Sequence, residues 1–202
     1  MLYLASASPR RHELLKLLNI AHQVLIIPNT DAEDEPIYPG ERPTDYAQRT
    51  TREKLARAQK WIRENNYCRQ TPILCADTCV ALDNEVLGKP ANQQEAESFL
   101  RRLSQRSHWV YTAQALAFQG KVYQSLSSNK VIFRALTEEE IKAYCATEEP
   151  YGKAGGYGIQ GTASYFIQAL QGRYSAVVGL DIYDLYQLFQ QAGLQQLCFP
   201  PR

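Results

Sequence analysis

The sequence predicts one α/β domain with two lobes, and three observations carry that expectation. A short apolar strand, Leu2-Tyr3-Leu4-Ala5, runs straight into the helical pattern Leu14, Leu15, Leu17, Leu18. A longer apolar run, Pro72 to Leu82, is bounded by Pro72 and the turn-forming pair Asp83-Asn84 and reads as one or two adjoining buried strands. Strand and helix patterns keep alternating along 202 residues of 45% hydrophobic content, enough for a full core, with no repeat or linker dividing them.

Taken in order, Ser8 as N-cap with Pro9 at the first helical position gives a clear helix start after the first strand. His22 to Ile27 suggests a second strand, followed by a loop-like acidic stretch from Pro28 to Pro43 holding Asp31, Glu33, Asp34, Glu35 and Glu41. Thr44 opens a long helix through Trp61 with Tyr46, Ala47, Leu55, Ala58 and Ile62 near one face. Arg49, Arg52, Lys54, Arg57 and Lys60 are distributed around that helix; four of the five belong at the surface, and periodicity does not single out Lys54. Beyond Leu82, Glu85-Val86-Leu87 returns as a strand that delivers Gly88-Lys89-Pro90 beside the Pro72 to Leu82 segment. Ala91 or Asn92 starts a helix to about Leu103, with Ala96, Phe99, Leu100 and Leu103 inward. Trp109 to Phe118 and Lys121 to Ala135 are two long strands joined at Gln119-Gly120, and Thr137 with Glu140 forms a capping box opening a helix to about Cys145. After a glycine-rich loop, Ser164 to Ala169 reads as a strand, Gln171-Gly172-Arg173 as a hairpin turn, Ala176 to Leu180 as a buried run, and Asp181 to about Ala192 as a helix.

Charge narrows the function. With 22 basic and 21 acidic residues the net charge is +1, which argues against nucleic acid or an anionic membrane as partner. The absence of a long apolar run and of a leader pattern argues for a cytoplasmic protein. Five cysteines without paired CxxC spacing suggest neither a disulfide framework nor a zinc site, and Cys75 and Cys79 read as small core residues.

Against that background Asp77, a carboxylate inside an apolar run, needs either a partner or a role, because an unpaired buried charge costs several kcal/mol. The bland alternative is that Asp77, with Thr78 beside it, ends a strand and caps a turn. Arg10 and Arg11 sit in a first helical turn, where cations oppose the macrodipole unless an anion joins them, and Arg offers bidentate recognition of phosphate. Pairing with Glu13 is the plain alternative for these arginines. The loop Tyr151 to Gly161 holds five glycines and spells GxGxxG from Gly156, but neither a preceding strand nor a following helix supports a dinucleotide fold. Gln160, held among those glycines, is placed to read the hydrogen-bonding edge of a base or to stand in a plain surface turn. No GxxxxGK[ST] occurs, so P-loop chemistry has little support.

The segments LASASPRR, REK at Arg52 to Lys54, ADT at Ala76 to Thr78, GKP at Gly88 to Pro90, AGGYGIQG and AVVGL together resemble the Maf family of nucleotide pyrophosphatases, in the expected order. The resemblance implies a Maf/inosine-triphosphatase-like fold, with a central mixed twisted sheet flanked by helices and two lobes around a cleft. It implies hydrolysis of a nucleoside triphosphate to the monophosphate and pyrophosphate with a divalent cation, Mg²⁺ or Mn²⁺. Arg10, Thr78 and Gln160 match the positions credited with a preference for dTTP and UTP, and Asp77 matches the proton acceptor. Ser8, Arg10, Arg11, Lys54 and Lys89 match positions that would hold the triphosphate. Glu35 is the expected second carboxylate and, with Asp77, a metal ligand, although Glu33 and Asp34 remain open for that place. Cys75 stands where Gly is usual and Asp181 where Pro is common, departures that bear on local geometry. A 7-methyl-GTP pyrophosphatase and a nucleotide-binding regulator of cell division without turnover are the rival readings, and the resemblance admits a homodimer.

Overall fold

Alternating apolar strands with helices between them build a mixed sheet, and the way that sheet splits is what positions the site. The computed structural model describes residues 1–28 and 35–198. Strands β1 (Leu2–Ala5), β2 (His22–Leu25) and β3 (Ile73–Leu82) are joined as parallel neighbours β2-β1-β3, and β4 (Glu85–Leu87), β5 (Ser107–Phe118), β6 (Lys121–Phe133) and β7 (Ile167–Gln171) add antiparallel pairings, giving the order β2-β1-β3-β5-β6-β7 with β4 on β3. β5 pairs with β3 continuously from Ile73↔Ala117 to Ala81↔Trp109. On the opposite edge β1 pairs only with Ile73 and Leu74, and β4 only with Val80 to Leu82. The five residues between, Cys75 to Cys79, therefore lie at a gap in the sheet, and Asp77 is at its centre.

Strand alternation divides the two faces. Ile73, Cys75 and Cys79 pack toward α2 (Pro43–Glu64), against Leu55, Ala58 and Ile62 near one end and Tyr46 and Ala47 near the other. Asp77 shares that face. Leu74 and Ala76 pack on the other face, with Leu14 and Leu15 of α1 (Pro9–Leu17) and Leu185, Leu188 and Phe189 of α6 (Ile182–Gln191). Val80 and Leu82 continue into a separate apolar cluster with Leu100 and Leu103 of α3 (Gln93–Leu103) and Ile141 and Tyr144 of α4 (Glu138–Cys145). The buried apolar residues thus gather in separate clusters on the two faces of the sheet and beyond the gap. No described helix is long and apolar enough to cross a membrane.

Local signals hold well where caps and turns dictate geometry. Asp83 and Asn84 have φ of +51° and +66°, the values a tight hairpin turn demands, and Asn92 caps α3 by accepting the Glu95 N–H at 3.0 Å. The Thr137/Glu140 capping box forms with both reciprocal bonds. Thr137→Ala should therefore cost about 1 kcal/mol, measured as a lower denaturation midpoint at unchanged slope. Asp181 is fully buried and caps α6 by accepting the Asp184 N–H, while Arg173 Nε donates to its second oxygen at 2.6 Å. The carboxylate in the place of the common proline is accounted for by that cap.

Other expectations need correction. The long helix starts at Pro43 with Arg42 as N-cap, because Pro at the first position outweighs the Thr44 signal. The second strand ends at Leu25, where its pairing with β1 ends, short of Ile27. Thr162–Phe166 is a 3₁₀ turn, so the strand expected from Ser164 begins only at Ile167. Gln171 to Arg173 is not a hairpin; it leads into a short helix, α5 (Tyr174–Val178), so the run read from Ala176 is not extended. Val177 and Val178 favour a strand by propensity, but Asn129 Oδ1 accepts the Arg173 N–H at 2.7 Å and the Ala176 carbonyl accepts Thr112 Oγ1 at 2.7 Å, and these tertiary bonds prevail.

Candidate active site

A cavity of about 700 Å³ opens at the gap in the sheet. Ser8, Arg10, Arg11, Glu35, Lys54, Asp77, Thr78, Lys89 and Gln160 all line it, so six separate segments contribute to one space.

Asp77 is 6% exposed and both its oxygens are engaged. Thr50 Oγ1 donates to Oδ2 at 2.5 Å and Lys54 Nζ to Oδ1 at 2.7 Å. Thr50 and Lys54 are one helical turn apart on α2, so a single helix face delivers both donors. Lys54 Nζ also lies 2.5 Å from Glu35 Oε1, which makes one ammonium the counter-ion of two carboxylates. Burial pushes Asp77 upward, but the charges of Lys54 and Arg11 and the hydrogen bonds from Lys54 and Thr50 outweigh it and hold the carboxyl below its ordinary range. Glu35 goes the other way: burial first, then the Asp77 charge, raise it against the pull of Lys54. Two neighbouring carboxyls are thereby pushed apart in proton affinity. Glu35 also has φ +85°, rare for a residue with a Cβ and costly by roughly 1–3 kcal/mol, and its carbonyl accepts Tyr46 Oη at 3.3 Å. Glu33 and Asp34, the other acids considered for this place, lie outside the described residues.

On the opposite face Arg11 is almost fully enclosed. Its Nε donates to the Gly179 carbonyl at 2.8 Å, Nη1 to Ser6 Oγ at 3.2 Å and Nη2 to Thr78 Oγ1 at 3.4 Å. Gly179, with φ +136° at the end of α5, has the conformation that glycine permits and turns its carbonyl to the guanidinium. The AVVGL segment therefore positions Arg11. Burial lowers the Arg11 pKa while the charge of Asp77 opposes that shift. Pairing with Glu13 does not describe this arginine. Thr78 is held from behind by Thr112 Oγ1 at 3.0 Å. Ser8 occupies the N-cap position of α1, but its side chain makes no capping bond, contrary to expectation; its N–H donates to Ser6 Oγ at 3.2 Å.

Lys89 enters from the end of β4 and Gln160 from the glycine-rich loop, both exposed at the rim. That loop contains a 3₁₀ turn over Ala154–Gly156, in line with the rejection of a dinucleotide fold. Gly155 has φ +67° and approaches β3 so closely that a Cβ there would stand 2.9 Å from Val80 Cγ1.

Some cavity residues escaped the sequence reading. Thr50, Arg57 and Lys153 join the site or support it. The helical row Tyr46, Thr50, Lys54, Arg57 carried the signal for two of them, since polar groups continue an apolar stripe there. The expectation of four surface cations on α2 is likewise corrected. Arg57 lines the cavity, and Arg49 binds Glu41 at 2.6 Å and the Pro36 carbonyl at 2.7 Å, tying the described end of the acidic stretch to the helix.

Among the described residues no group of three or more His, Cys, Asp or Glu gathers as a self-sufficient metal site. The Asp77 and Glu35 pair nonetheless fits a hard divalent cation, since two carboxylates already converge on one positive charge and Mg²⁺ commonly uses one or two carboxylates plus substrate phosphates.

A mixed sheet split over a buried carboxylate, with cations from a helix N-terminal turn, a second helix and a hairpin end, defines a protein built to hold a polyanion. The family model described as Maf-like protein matches residues 1–192, and the chain belongs to that family. It is 49% identical over 193 residues to the dTTP/UTP pyrophosphatase of Bordetella avium, covering 96% of each chain. It is 42% identical over 199 residues to the dTTP/UTP pyrophosphatase of Nitrosomonas europaea, covering 96% of this chain and 95% of that one. It is 41% identical over 196 residues to a nucleoside triphosphate pyrophosphatase of Haemophilus ducreyi, covering 97% of each. The solved structure of the Staphylococcus aureus Ham1 protein aligns with a TM-score of 0.38 at 15% identity, over 64% of this chain and 71% of that one, too slight a likeness to assign any role.

Proposed function

We propose that this protein hydrolyses dTTP and UTP to the monophosphate and pyrophosphate. The observation that carries the reading is the meeting of Asp77, Glu35 and Lys54 with Arg10, Arg11 and Lys89 in one cavity at the sheet gap. Water attacks the α-phosphorus, its proton passes to Asp77, and the bond to the α,β-bridging oxygen breaks to release pyrophosphate. Asp77, kept ionised by Lys54 and Thr50, is fixed in place to orient that water and take the proton. Ser8, Arg10, Arg11, Lys54 and Lys89 hold the triphosphate and offset charge that spreads over its oxygens. A Mg²⁺ or Mn²⁺ ion, when bound by Asp77 and Glu35, would neutralise phosphate charge and polarise the reacting group. The raised proton affinity of Glu35 favours one second reading, in which Glu35 takes the proton and Asp77 only orients the water.

The near-balanced charge supports a free nucleotide as the partner, rather than nucleic acid or a membrane. A panel of triphosphates with Mg²⁺ and Mn²⁺ and pyrophosphate detection tests the proposal. The expected result is a kcat/KM for dTTP and UTP at least tenfold above that for other nucleotides. Preference for 7-methyl-GTP, or tight binding with no pyrophosphate, would overturn it.

Gln160, Arg10 and Thr78 set base choice in this reading. Gln160→Ala should narrow the preference for dTTP and UTP over dCTP and CTP by about tenfold, because a site that hydrogen-bonds its substrate rejects analogues leaving it unpaired. An equal fall for every nucleotide would mark Gln160 as structural.

A further inference from the structure

The loop that carries Gln160 is exposed at its tip, yet its two ends are tied down by specific bonds. On the near side, Gly155 N–H donates to the Gly88 carbonyl at 2.9 Å, and the Tyr157 hydroxyl meets His108 Nε2 at 2.5 Å. Burial lowers His108 to about 4, so the ring is neutral at pH 7 and that contact is a hydrogen bond between uncharged groups. Past Tyr157 the chain makes a four-residue turn, with Gly161 N–H donating to the Gly158 carbonyl at 3.2 Å, and Gln160 is its third residue.

What holds the far side of that turn is Glu149. Its carboxylate accepts the Thr162 N–H at 2.9 Å and the Ala163 N–H at 3.3 Å, and Tyr144 Oη lies 3.4 Å from Oε1. Its backbone carbonyl accepts Lys153 Nζ, which binds the intervening chain to the same residue. The fit is tight: a Cβ at Gly161 would stand 2.1 Å from Glu149 Oε1 and 2.5 Å from Cδ. The carboxylate fills the space a side chain would take, directly beside Gln160. Burial pushes Glu149 up, but the Thr162 and Ala163 N–H groups outweigh it and keep the carboxylate ionised.

We propose that Glu149 is a positioning residue that staples the glycine-rich loop shut, fixing the Gly158–Gly161 turn so that Gln160 meets the base in one pose. It touches no reacting atom and acts through Gln160, so its loss falls on base binding and discrimination rather than on the chemical step. A glycine-rich turn left unfastened would populate many conformers, and an affinity that depends on one of them falls by the fraction in which it is present.

The test combines kinetics with amide exchange on the full chain, and rests on the dTTP/UTP reading only in its kinetic arm. Glu149→Ala should raise KM for dTTP and UTP about tenfold, leave kcat within about threefold, and narrow the preference over dCTP and CTP about fivefold. Glu149→Gln, which still offers one acceptor oxygen, should recover part of both losses. In Glu149→Ala the Thr162 and Ala163 amides should exchange at least tenfold faster than in wild type. Gly161→Ala, which evicts the carboxylate from the other side, should reproduce the faster exchange even if Glu149→Ala does not fold. Unchanged selectivity in a folded Glu149→Ala whose amides have opened would overturn the proposal, as would amides that stay protected. Wild-type protein inert towards dTTP and UTP would instead sink the functional reading, and the exchange measurement would then decide the staple by itself.

Discussion

Asp77→Asn should lower turnover of dTTP by about 10²–10⁴, the range expected when a positioned proton acceptor is lost, while nucleotide affinity stays within about tenfold. The amide is nearly isosteric and can keep one of the two donors, Thr50 at 2.5 Å or Lys54 at 2.7 Å, so local geometry survives while the negative charge goes. Lys54 would keep Glu35 as its partner at 2.5 Å, so the cavity would not be left with an uncompensated ammonium. Single-turnover kinetics beside calorimetric titration with a non-hydrolysable analogue would separate the two quantities. Turnover equal to wild type would remove Asp77 from the chemistry, and the comparison with Glu35→Gln would show which of the two carboxyls takes the proton.

Lys54→Met should have the largest effect on stability. It removes the ammonium that Asp77 and Glu35 share, and stripping a partner from buried charge costs about 3–5 kcal/mol, a large fraction of a typical domain's total. For a chain of this length the fall in Tm would be on the order of 10 °C near neutral pH. The pH dependence has a definite sign. In the wild type the depressed Asp77 contributes stability that is present above the ordinary aspartate pKa and lost as pH falls through its lower, folded value. Without Lys54 both carboxyls are raised, so the variant is penalised at neutral pH and relieved as acid protonates them. The gap in Tm between wild type and variant should therefore be widest near pH 7 and shrink below about pH 4. A gap that stays constant with pH would mean that Lys54 acts by packing and not by charge.

How far the site could be read in advance differs from residue to residue. Asp77 stood out because a carboxylate inside Ile73 to Leu82 violates the apolar pattern, and Arg10 and Arg11 because cations in a first helical turn oppose its dipole. Lys54 did not stand out. On a helix with five basic residues near its middle, periodicity places each around the axis but does not say which turn passes over the sheet gap. Thr50 shares a helical row with Tyr46 and Lys54, a signal too weak to rank it above other polar positions, and Glu149 carries none because its three carboxylate contacts run to residues thirteen and fourteen positions on and to Tyr144. The hairpin expected at Gln171 to Arg173 shows the converse: the buried run after it is helical, and the β preference of Val177 and Val178 is overruled by contacts from Thr112 and Asn129.

The sequence by itself determined the elements whose ends are set by neighbouring residues: the Asp83-Asn84 hairpin, the Asn92, Thr137 and Asp181 caps, and the paired long strands around Gln119-Gly120. It also determined which charged side chains had no comfortable local explanation. Only the tertiary structure decided that β1 and β4 leave Cys75 to Cys79 unpaired on one edge, that Asp77 and Thr78 look to opposite faces of that gap, and that one lysine answers two acids. Caps and turns are settled by bonds spanning three or four residues, whereas a site gathered from six segments depends on long-range packing, whose distances no local pattern contains.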